Sequence, residues 1–326
     1  MPKKILIISG PTASGKSDLA LRLADSRDVA IINADSLQLY EGLPILSSQP
    51  SLEVQKKVKH LLYSHFKPSE NSSVALWLGL VKSAVEEVLT EKKLPVIVGG
   101  SGMYISKLVE GISEIPEAED DLRKGATALF EAIGHEEFQK KLIDLGENKI
   151  LDKHRLIRAY EVLMQTGKSI TYWQNQPAKK IFPDADFTHI NLNPDREKLY
   201  QNCNSRFEKM LECGALDEVQ SLMNQGIEDD KQITKTLGFY EICDFISGRI
   251  SREEMIKIAT QKTRNYAKRQ LTWFRNQLPE KRVFGDSDEA LKFIQCHAEL
   301  ISNVMLSLSK HDSRHRALNH ASTGSA

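Results

Sequence analysis

Apolar runs alternate with segments of helical periodicity over the first hundred residues. The run Lys4–Ser9 is continuously apolar after its lysine and stops at Gly10, which is typical of a strand buried on both faces. The next segments have the patterns of a helix, a strand, a helix and a strand, in the order Asp18–Asp25, Val29–Ile32, Leu76–Leu89 and Leu94–Val98. This alternation predicts a parallel sheet with right-handed crossovers.

Polar or glycine-rich turns follow three of these predicted strands. They are residues 10–17, 33–38 and 99–102. Because the carboxyl ends of parallel strands share one edge of a sheet, where ligands bind in such folds, we expect the three turns to converge.

The pattern becomes charged and helical from Pro116 to Phe182, without strand signals, and we interpret this block as a helical insertion. Phe187–Leu192 then predicts a strand that returns to the sheet, before long helices from Pro194 to Leu278. The predicted organisation is a first part of an α/β core (1–115), the insertion (116–182), a return to the core with basic helices (183–306) and a disordered polar tail (307–326).

Composition excludes several classes of protein. The 44 Lys and Arg residues balance 44 Asp and Glu residues, so a nucleic-acid site must be a local patch. The four cysteines have neither metal-ligand nor redox spacing. Ile5–Ile8, the longest apolar run near the start, is too short for a signal peptide or a membrane span. We therefore expect a cytoplasmic protein without membrane association, and a monomer.

One motif for phosphate binding follows the first predicted strand. Its residues are Gly10, Pro11, Thr12, Ala13, Ser14, Gly15, Lys16 and Ser17, which match G-x-x-x-x-G-K-[ST]. The glycines let backbone N–H groups surround a phosphate, Lys16 reaches phosphate oxygens, and the Ser17 hydroxyl suits Mg²⁺. The alternative is a glycine-rich turn without a ligand. The motif predicts a P-loop NTPase-like parallel sheet core flanked by helices, with the helical insertion, but it does not identify the reaction.

Asp35 follows the second predicted strand and allows three interpretations. It could hold Mg²⁺ through water, it could be a base aimed at a nucleophile, or it could cap a helix. The residues alone leave all three open.

Two basic clusters indicate a nucleic-acid surface without establishing one. Arg249–Arg275 carries eight Lys and Arg residues against two glutamates, with Tyr266, Trp273 and Phe274 interleaved. His154–Arg158 is a smaller cluster within the insertion. The alternative for each is a solvated helical face, with the aromatic stripe in the core.

Four stretches together resemble the tRNA dimethylallyltransferase (tRNA isopentenyltransferase) family. They are residues 10–17, Ala34–Tyr40 (ADSLQLY), Val98–Tyr104 (VGGSGMY) and Tyr266–Arg275 (YAKRQLTWFR), and they occur in family order. The resemblance covers about residues 4–285 and is more specific than the phosphate motif, which many families share.

The resemblance implies a reaction and its partners. Dimethylallyl diphosphate would donate its dimethylallyl group to N6 of adenosine 37, in tRNAs that read codons beginning with U. The partners are then this donor and the tRNA anticodon stem-loop, and the cofactor is Mg²⁺, held by Ser17. Asp35 would be the base, and Thr12 and Lys16 would act on the diphosphate. The segments that would contact tRNA are Asp35, Ser36, Leu37, Gln38, Ser101, Arg123, His154, Arg155, Leu156, Ile157 and Arg158.

The chain departs from the family pattern at three places. Lys235 stands where the family often has an arginine that grips diphosphate, and we assign Lys235 to the donor site. Ser47–Pro50 replaces Gly-Thr-x-Lys-Pro, so that Gln49 stands in place of a lysine, and Ser101 replaces a common threonine.

Other functions compete with tRNA prenylation. An isopentenyltransferase acting on free adenine nucleotides shares the core but needs neither the insertion nor the basic clusters. A P-loop kinase would turn over ATP, and a non-enzymatic RNA-binding ATPase would bind RNA without modifying it.

Overall fold

The computed structural model describes residues 2–278, 280–298 and 301, and all structural statements refer to them. The strands are β1 (Lys3–Ser9), β2 (Val29–Asn33), β3 (Lys59–Leu61), β4 (Leu94–Gly99), β5 (Ala185–Leu192) and β6 (Arg282–Phe284). The helices are α1 (Lys16–Ala24), α2 (Leu52–Lys57), α3 (Val74–Thr90), α4 (Gly102–Glu110), α5 (Asp120–Asp144), α6 (Lys153–Thr166), α7 (Ile170–Gln174), α8 (Arg196–Glu212), α9 (Ala215–Asn224), α10 (Phe239–Ile246), α11 (Arg252–Gln277) and α12 (Ser287–Cys296). A 3₁₀ helix covers Gln232–Lys235. In this described part of the chain, no helix is both long and apolar enough to cross a membrane.

The strands form one parallel sheet in the order β3-β2-β4-β1-β5-β6. Every residue of β2 and β4 is buried, as expected for inner strands covered on both faces. In β1, Ile7 lies opposite Ile97 of β4 and His189 of β5. Because β2, β4 and β1 are neighbours, the turns that follow them open at the same edge. This architecture confirms the predicted fold class.

The chain forms two compact units. The first contains residues up to Ser106 and from Phe182 onward, and the second is Lys107–Ile181. In the second unit, α5 and α6 share a core that includes Phe138 and Leu156. Gly134, with a φ of 76°, interrupts α5 and divides it into two helical segments. The predicted tail at 307–326 lies outside the described residues.

Two helices of the first unit reach the turns beside the sheet. Asp195 caps α8 by accepting hydrogen bonds from the next residues along the chain, and Ser251 with Glu254 forms a capping box at the start of α11. The guanidinium of Arg264 on α11 donates to the side-chain oxygen of Asn204 on α8 at 2.6 Å. Phe274 of α11 is buried, so this part of the aromatic stripe belongs to the core.

Candidate phosphate-binding site

The three predicted turns converge on one cavity of about 490 Å³ in the first unit. The phosphate loop supplies Thr12 to Ser17, the turn after β2 supplies Asp35 and Gln38, and the turn after β4 supplies Gly99 and Gly100. Asn202, Ser205, Arg206 and Lys209 from α8, and Gln270 from α11, complete the wall together with Asp18, Ser47, Ser48, Tyr63 and Val98.

The backbone of the phosphate loop requires glycine where it passes β5. Gly10 has a φ of 149°, and a Cβ atom there would lie 2.5 Å from the carbonyl oxygen of Leu192. The Ser14 hydroxyl is buried in the same loop, and the described residues offer it no hydrogen-bond partner. Because buried polar groups are nearly always satisfied, this hydroxyl indicates a ligand with acceptor atoms.

Lys16 is positioned at the first residue of α1, where its ammonium group donates to the Pro11 carbonyl oxygen at 2.6 Å. Burial lowers the pKa of Lys16 to about 8. The Asp35 carboxylate opposes this shift, and the neighbouring Arg206 adds to it. An anion in the cavity would stabilise the protonated form.

Arg206 and Gln270 are among the cavity residues that the sequence did not predict. The Arg206 guanidinium donates to the Thr12 hydroxyl, and burial lowers the pKa of Arg206. The Gln270 side chain accepts from the Thr12 N–H at 2.8 Å and donates to the Gly100 carbonyl oxygen at 2.9 Å, so it ties two of the turns together. Gln270 lies inside a quoted family stretch, whereas no local pattern distinguishes Arg206 from other arginines of surface helices.

Asp35 is held by the turn that it occupies. Its N–H donates to the side-chain oxygen of Asn33 at 2.8 Å, and its carboxylate accepts the Leu37 N–H at 3.0 Å. Asn33 in turn donates to the carbonyl oxygens of Asp35 and Leu62, both at 2.9 Å. The half-buried carboxylate therefore keeps one fixed orientation at the cavity wall and has remaining acceptor capacity.

The other predicted residues of this turn are engaged with its neighbours. The Ser101 hydroxyl accepts the Ser36 N–H at 3.0 Å, which joins the turns after β2 and β4. The Gln38 amide donates to the carbonyl oxygens of Ser47 and Ser48, both at 2.9 Å. Leu37 is half-buried and lines a second, smaller cavity.

Gln49, which replaces the family lysine, is a neutral brace for its loop. Its amide nitrogen donates to the Tyr40 carbonyl oxygen at 2.8 Å, and its amide oxygen accepts the Ser64 hydroxyl at 2.8 Å. Glu218 of α9 holds the same loop by accepting the N–H groups of Ile45 at 2.8 Å and Leu46 at 3.0 Å. Gln49 thus fixes the loop without adding charge to the cavity.

Lys235, like Gly10 and Pro11, is a predicted donor-site residue that does not line the cavity. It is exposed at the end of the 3₁₀ helix, while the next residues, Thr236 and Leu237, line the smaller cavity. Arg206 is instead the arginine of the cavity, with Lys209 one turn further along α8.

The predicted tRNA contacts of the insertion lie in the second unit and differ in exposure. His154 and Arg155 are exposed on α6. Leu156 and Ile157 are buried, so their side chains support the helix and do not face a ligand. Arg158 is held by the buried Glu161 at 3.1 Å and by the Pro116 carbonyl oxygen at 2.6 Å. Arg123 lies 4.0 Å from the same carboxylate and is about half exposed.

The protein oxygens at the cavity fit a magnesium ion that is held mainly by substrate oxygens. Within the described residues, no group of three or more His, Cys, Asp or Glu side chains could hold a metal by itself. The exposed Ser17 hydroxyl and the Asp35 carboxylate line the same cavity. Mg²⁺ commonly takes one or two protein oxygens and completes its shell with phosphates and water, which this arrangement allows.

A phosphate-binding loop at the centre of a parallel sheet places the chain among the P-loop α/β proteins. The model of the IPP transferase family matches residues 38–277, and the chain belongs to this family. A tRNA dimethylallyltransferase from Anaplasma phagocytophilum (strain HZ) is 41% identical over 300 residues, covering 90% of this chain and 95% of the relative. Another, from Ehrlichia chaffeensis (strain ATCC CRL-10679 / Arkansas), is 40% identical over 296 residues, with coverage of 89% and 97%.

Solved structures show the same fold. The full-length tRNA isopentenylpyrophosphate transferase from Bacillus halodurans superposes with a TM-score of 0.66 at 29% identity, covering 98% of this chain and 99% of that protein. The predicted family is therefore confirmed.

Proposed function

We propose that this chain transfers the dimethylallyl group of dimethylallyl diphosphate to N6 of adenosine 37 in tRNAs that read codons beginning with U, releasing diphosphate. The observation that carries the proposal is the convergence of a phosphate loop, two half-buried cations and one oriented carboxylate on a single cavity. Relatives that cover most of the chain are named tRNA dimethylallyltransferases, which supports both the donor and the acceptor.

The phosphate side of the cavity fits a departing diphosphate. When the allylic C–O bond breaks, negative charge grows on the diphosphate. The phosphate loop, Lys16 and Arg206 line the cavity and carry the positive charge and N–H donors that would stabilise it. The Ser14 hydroxyl gains the partner that it lacks within the described residues. Ser17 is the residue that would hold Mg²⁺, which when bound supplies further neutralisation of the leaving group.

Asp35 suits the acceptor side of the reaction. The exocyclic amine of adenine is a poor nucleophile because its lone pair is delocalised into the ring. As the N6–C1 bond forms, the C1–O bond breaks, the electron pair leaves with diphosphate, and the N6 proton passes to the Asp35 carboxylate. The Asp35 carboxylate accepts the backbone N–H of Leu37 and keeps the remaining acceptor capacity that a proton acceptor needs.

Each unit, taken by itself, offers candidate contacts for the anticodon stem-loop. In the first, Ser36, Gln38 and Ser101 form a rigid edge at the cavity. In the second, His154, Arg155 and Arg123 offer exposed nitrogen donors for phosphates or bases. We propose that the protein acts as a monomer on tRNA in the cytoplasm.

The test is a transfer assay with Mg²⁺, dimethylallyl diphosphate and an anticodon stem-loop with adenosine at position 37, read by mass spectrometry of the digested nucleosides. A prenyl mass gain on adenosine 37, absent when AMP is the acceptor, supports the proposal. Gain on AMP alone assigns the free-nucleotide reaction, and ATP turnover without prenylation assigns a kinase. RNA binding without any turnover assigns the non-enzymatic alternative.

Asp35→Asn serves as the matched variant in that assay. It should lower turnover roughly 10²–10⁴-fold while RNA binding remains nearly intact, because it removes the proton acceptor and keeps the side-chain shape. Loss of RNA binding with full turnover at saturating RNA would instead make Asp35 a positioning residue.

A further inference from the structure

A small recess adjoins the phosphate cavity in the first unit. Five residues line both spaces, namely Thr12, Asp35, Ser47, Ser48 and Arg206, so the recess opens beside the proposed base and the phosphate loop. Its volume is about 50 Å³. Since one water-sized group needs roughly 10–15 Å³, the recess holds about three to five such groups. That is the size of one five-carbon isoprene unit.

The five residues that the recess shares with the phosphate cavity are polar, and most of its other lining residues are apolar. Leu46, Phe207 and Met210 are buried and line it. Two threonines also line it, but each donates its hydroxyl elsewhere: Thr236 to Ile233 at 2.7 Å and Thr263 to Ala259 at 2.8 Å, both to carbonyl oxygens. A hydrocarbon chain packed against the apolar part of this lining would be shielded from water.

Helix α8 gives the recess its direction. Cys203, Phe207 and Met210 follow at helical spacing and line the recess together. Asn202 and Arg206 of α8 donate hydrogen bonds to the phosphate loop. Met210, one turn beyond Arg206, is the lining residue of α8 furthest along the helix from the loop.

The Phe207 ring cannot easily yield to a longer ligand. A Cβ atom at Gly238 would lie 2.7 Å from this ring and 3.3 Å from Leu46, so backbone is packed against both side chains. Met210 is the lining residue that we expect to tolerate substitution best, because the unbranched side chain of methionine fills irregular space.

From this arrangement we infer that Met210 limits the donor to a single isoprene unit by closing the far end of the recess. The inference rests on the proposed function. In dimethylallyl and geranyl transfer alike, the N6–C1 bond forms, the C1–O bond breaks to release diphosphate, and the N6 proton goes to Asp35. The two donors therefore differ only in the chain that the recess must hold.

The experiment compares kcat/KM for dimethylallyl and geranyl diphosphate with the anticodon stem-loop as acceptor. The wild-type protein should prefer the shorter donor at least tenfold, and Met210→Ala should reduce that preference at least tenfold. Met255→Ala is the matched control, since Met255 is a fully buried methionine of α11 that lines neither cavity, and its ratio should equal that of the wild type.

A measurement on the wild-type protein keeps the inference testable if Met210→Ala does not fold. The unreactive thiolodiphosphate analogues of dimethylallyl and geranyl diphosphate should both inhibit dimethylallyl transfer. The geranyl analogue should inhibit at least tenfold more weakly. Equal inhibition, or an unchanged donor ratio in a folded Met210→Ala protein, would overturn the role of Met210 while leaving prenyl transfer intact. Failure of the wild-type protein to transfer dimethylallyl would overturn the proposed function itself.

Discussion

Replacing Gln270 by glutamate should damage the phosphate loop through a single group of atoms. The wild-type amide accepts from Thr12 and donates to Gly100, and it is 6% exposed. Glutamate keeps the acceptor but loses the donor, so the Gly100 carbonyl oxygen is left without its partner. It also brings a negative charge to a cavity that we propose binds an anion.

The two effects have separable magnitudes. Leaving one buried acceptor unsatisfied costs about 1–3 kcal/mol of unfolding free energy. Two unit charges about 8 Å apart repel by about 2 kcal/mol at an effective dielectric constant of about 20, which corresponds to roughly thirty-fold in affinity. Gln270→Glu should therefore bind inorganic diphosphate ten- to a hundred-fold more weakly and unfold more easily.

Calorimetric titration with diphosphate measures the first effect, and denaturant unfolding measures the second. Gln261→Glu is the matched control, because it makes the same change on the same helix at an exposed position. Wild-type diphosphate affinity in folded Gln270→Glu would refute the reasoning, as would an equal loss in Gln261→Glu.

Three further predictions concern charged groups. Affinity for diphosphate should fall as pH rises through about 8, where free Lys16 loses its proton, and this step should be absent from Lys16→Met in the same titration. Burial, with a smaller contribution from Lys281, lowers the pKa of His189 to about 4. As pH falls from about 6.5 to 4, the histidine is protonated in the unfolded chain before it is protonated in the folded one. The folded protein should therefore lose about 3 kcal/mol of stability over that window, and His189→Asn should not show this loss. Urea unfolding at each pH would measure both. Glu161→Gln removes the charged partner of Arg158. It should therefore lower the unfolding free energy by about 1–3 kcal/mol, measured by thermal unfolding, and weaken stem-loop binding, measured by a filter-binding titration. The absence of either effect would contradict this prediction.

The inner strands were predictable because their chemistry is local. Val29–Asn33 and Leu94–Gly99 are buried on both faces, and that burial requires the apolar runs by which they were found. The edge strands β3 and β6 have three residues each and only partial burial, so they leave no such run. Short, polar edges are a common feature of sheets and conceal them from hydrophobic patterning.

The candidate site divides along the same line. The phosphate loop and the Asp35 turn were predicted because each is a continuous segment whose backbone needs particular residues. Arg206 reaches Thr12 across 194 residues and Gln270 reaches it across 258, so each contact exists only once the sheet and helices are packed. The exposure of Lys235 also depends on packing. The direction of a side chain on a short 3₁₀ helix is set by the way the helix packs and not by its neighbours in sequence.

The packed structure also explains why an anion would stabilise this site. Lys16 and Arg206 are both desolvated enough to lower their pKa values, and within the described residues neither has a carboxylate within 4.0 Å. Asp35 acts on both from a greater distance, so two cations share one anion. A folded protein tolerates such a cost where strain or charge serves a function. On the proposed function, a diphosphate in the cavity would offset the cost of desolvating these two cations. Because the charge on the diphosphate increases as it leaves the allylic carbon, the same groups would stabilise the transition state more than the bound donor.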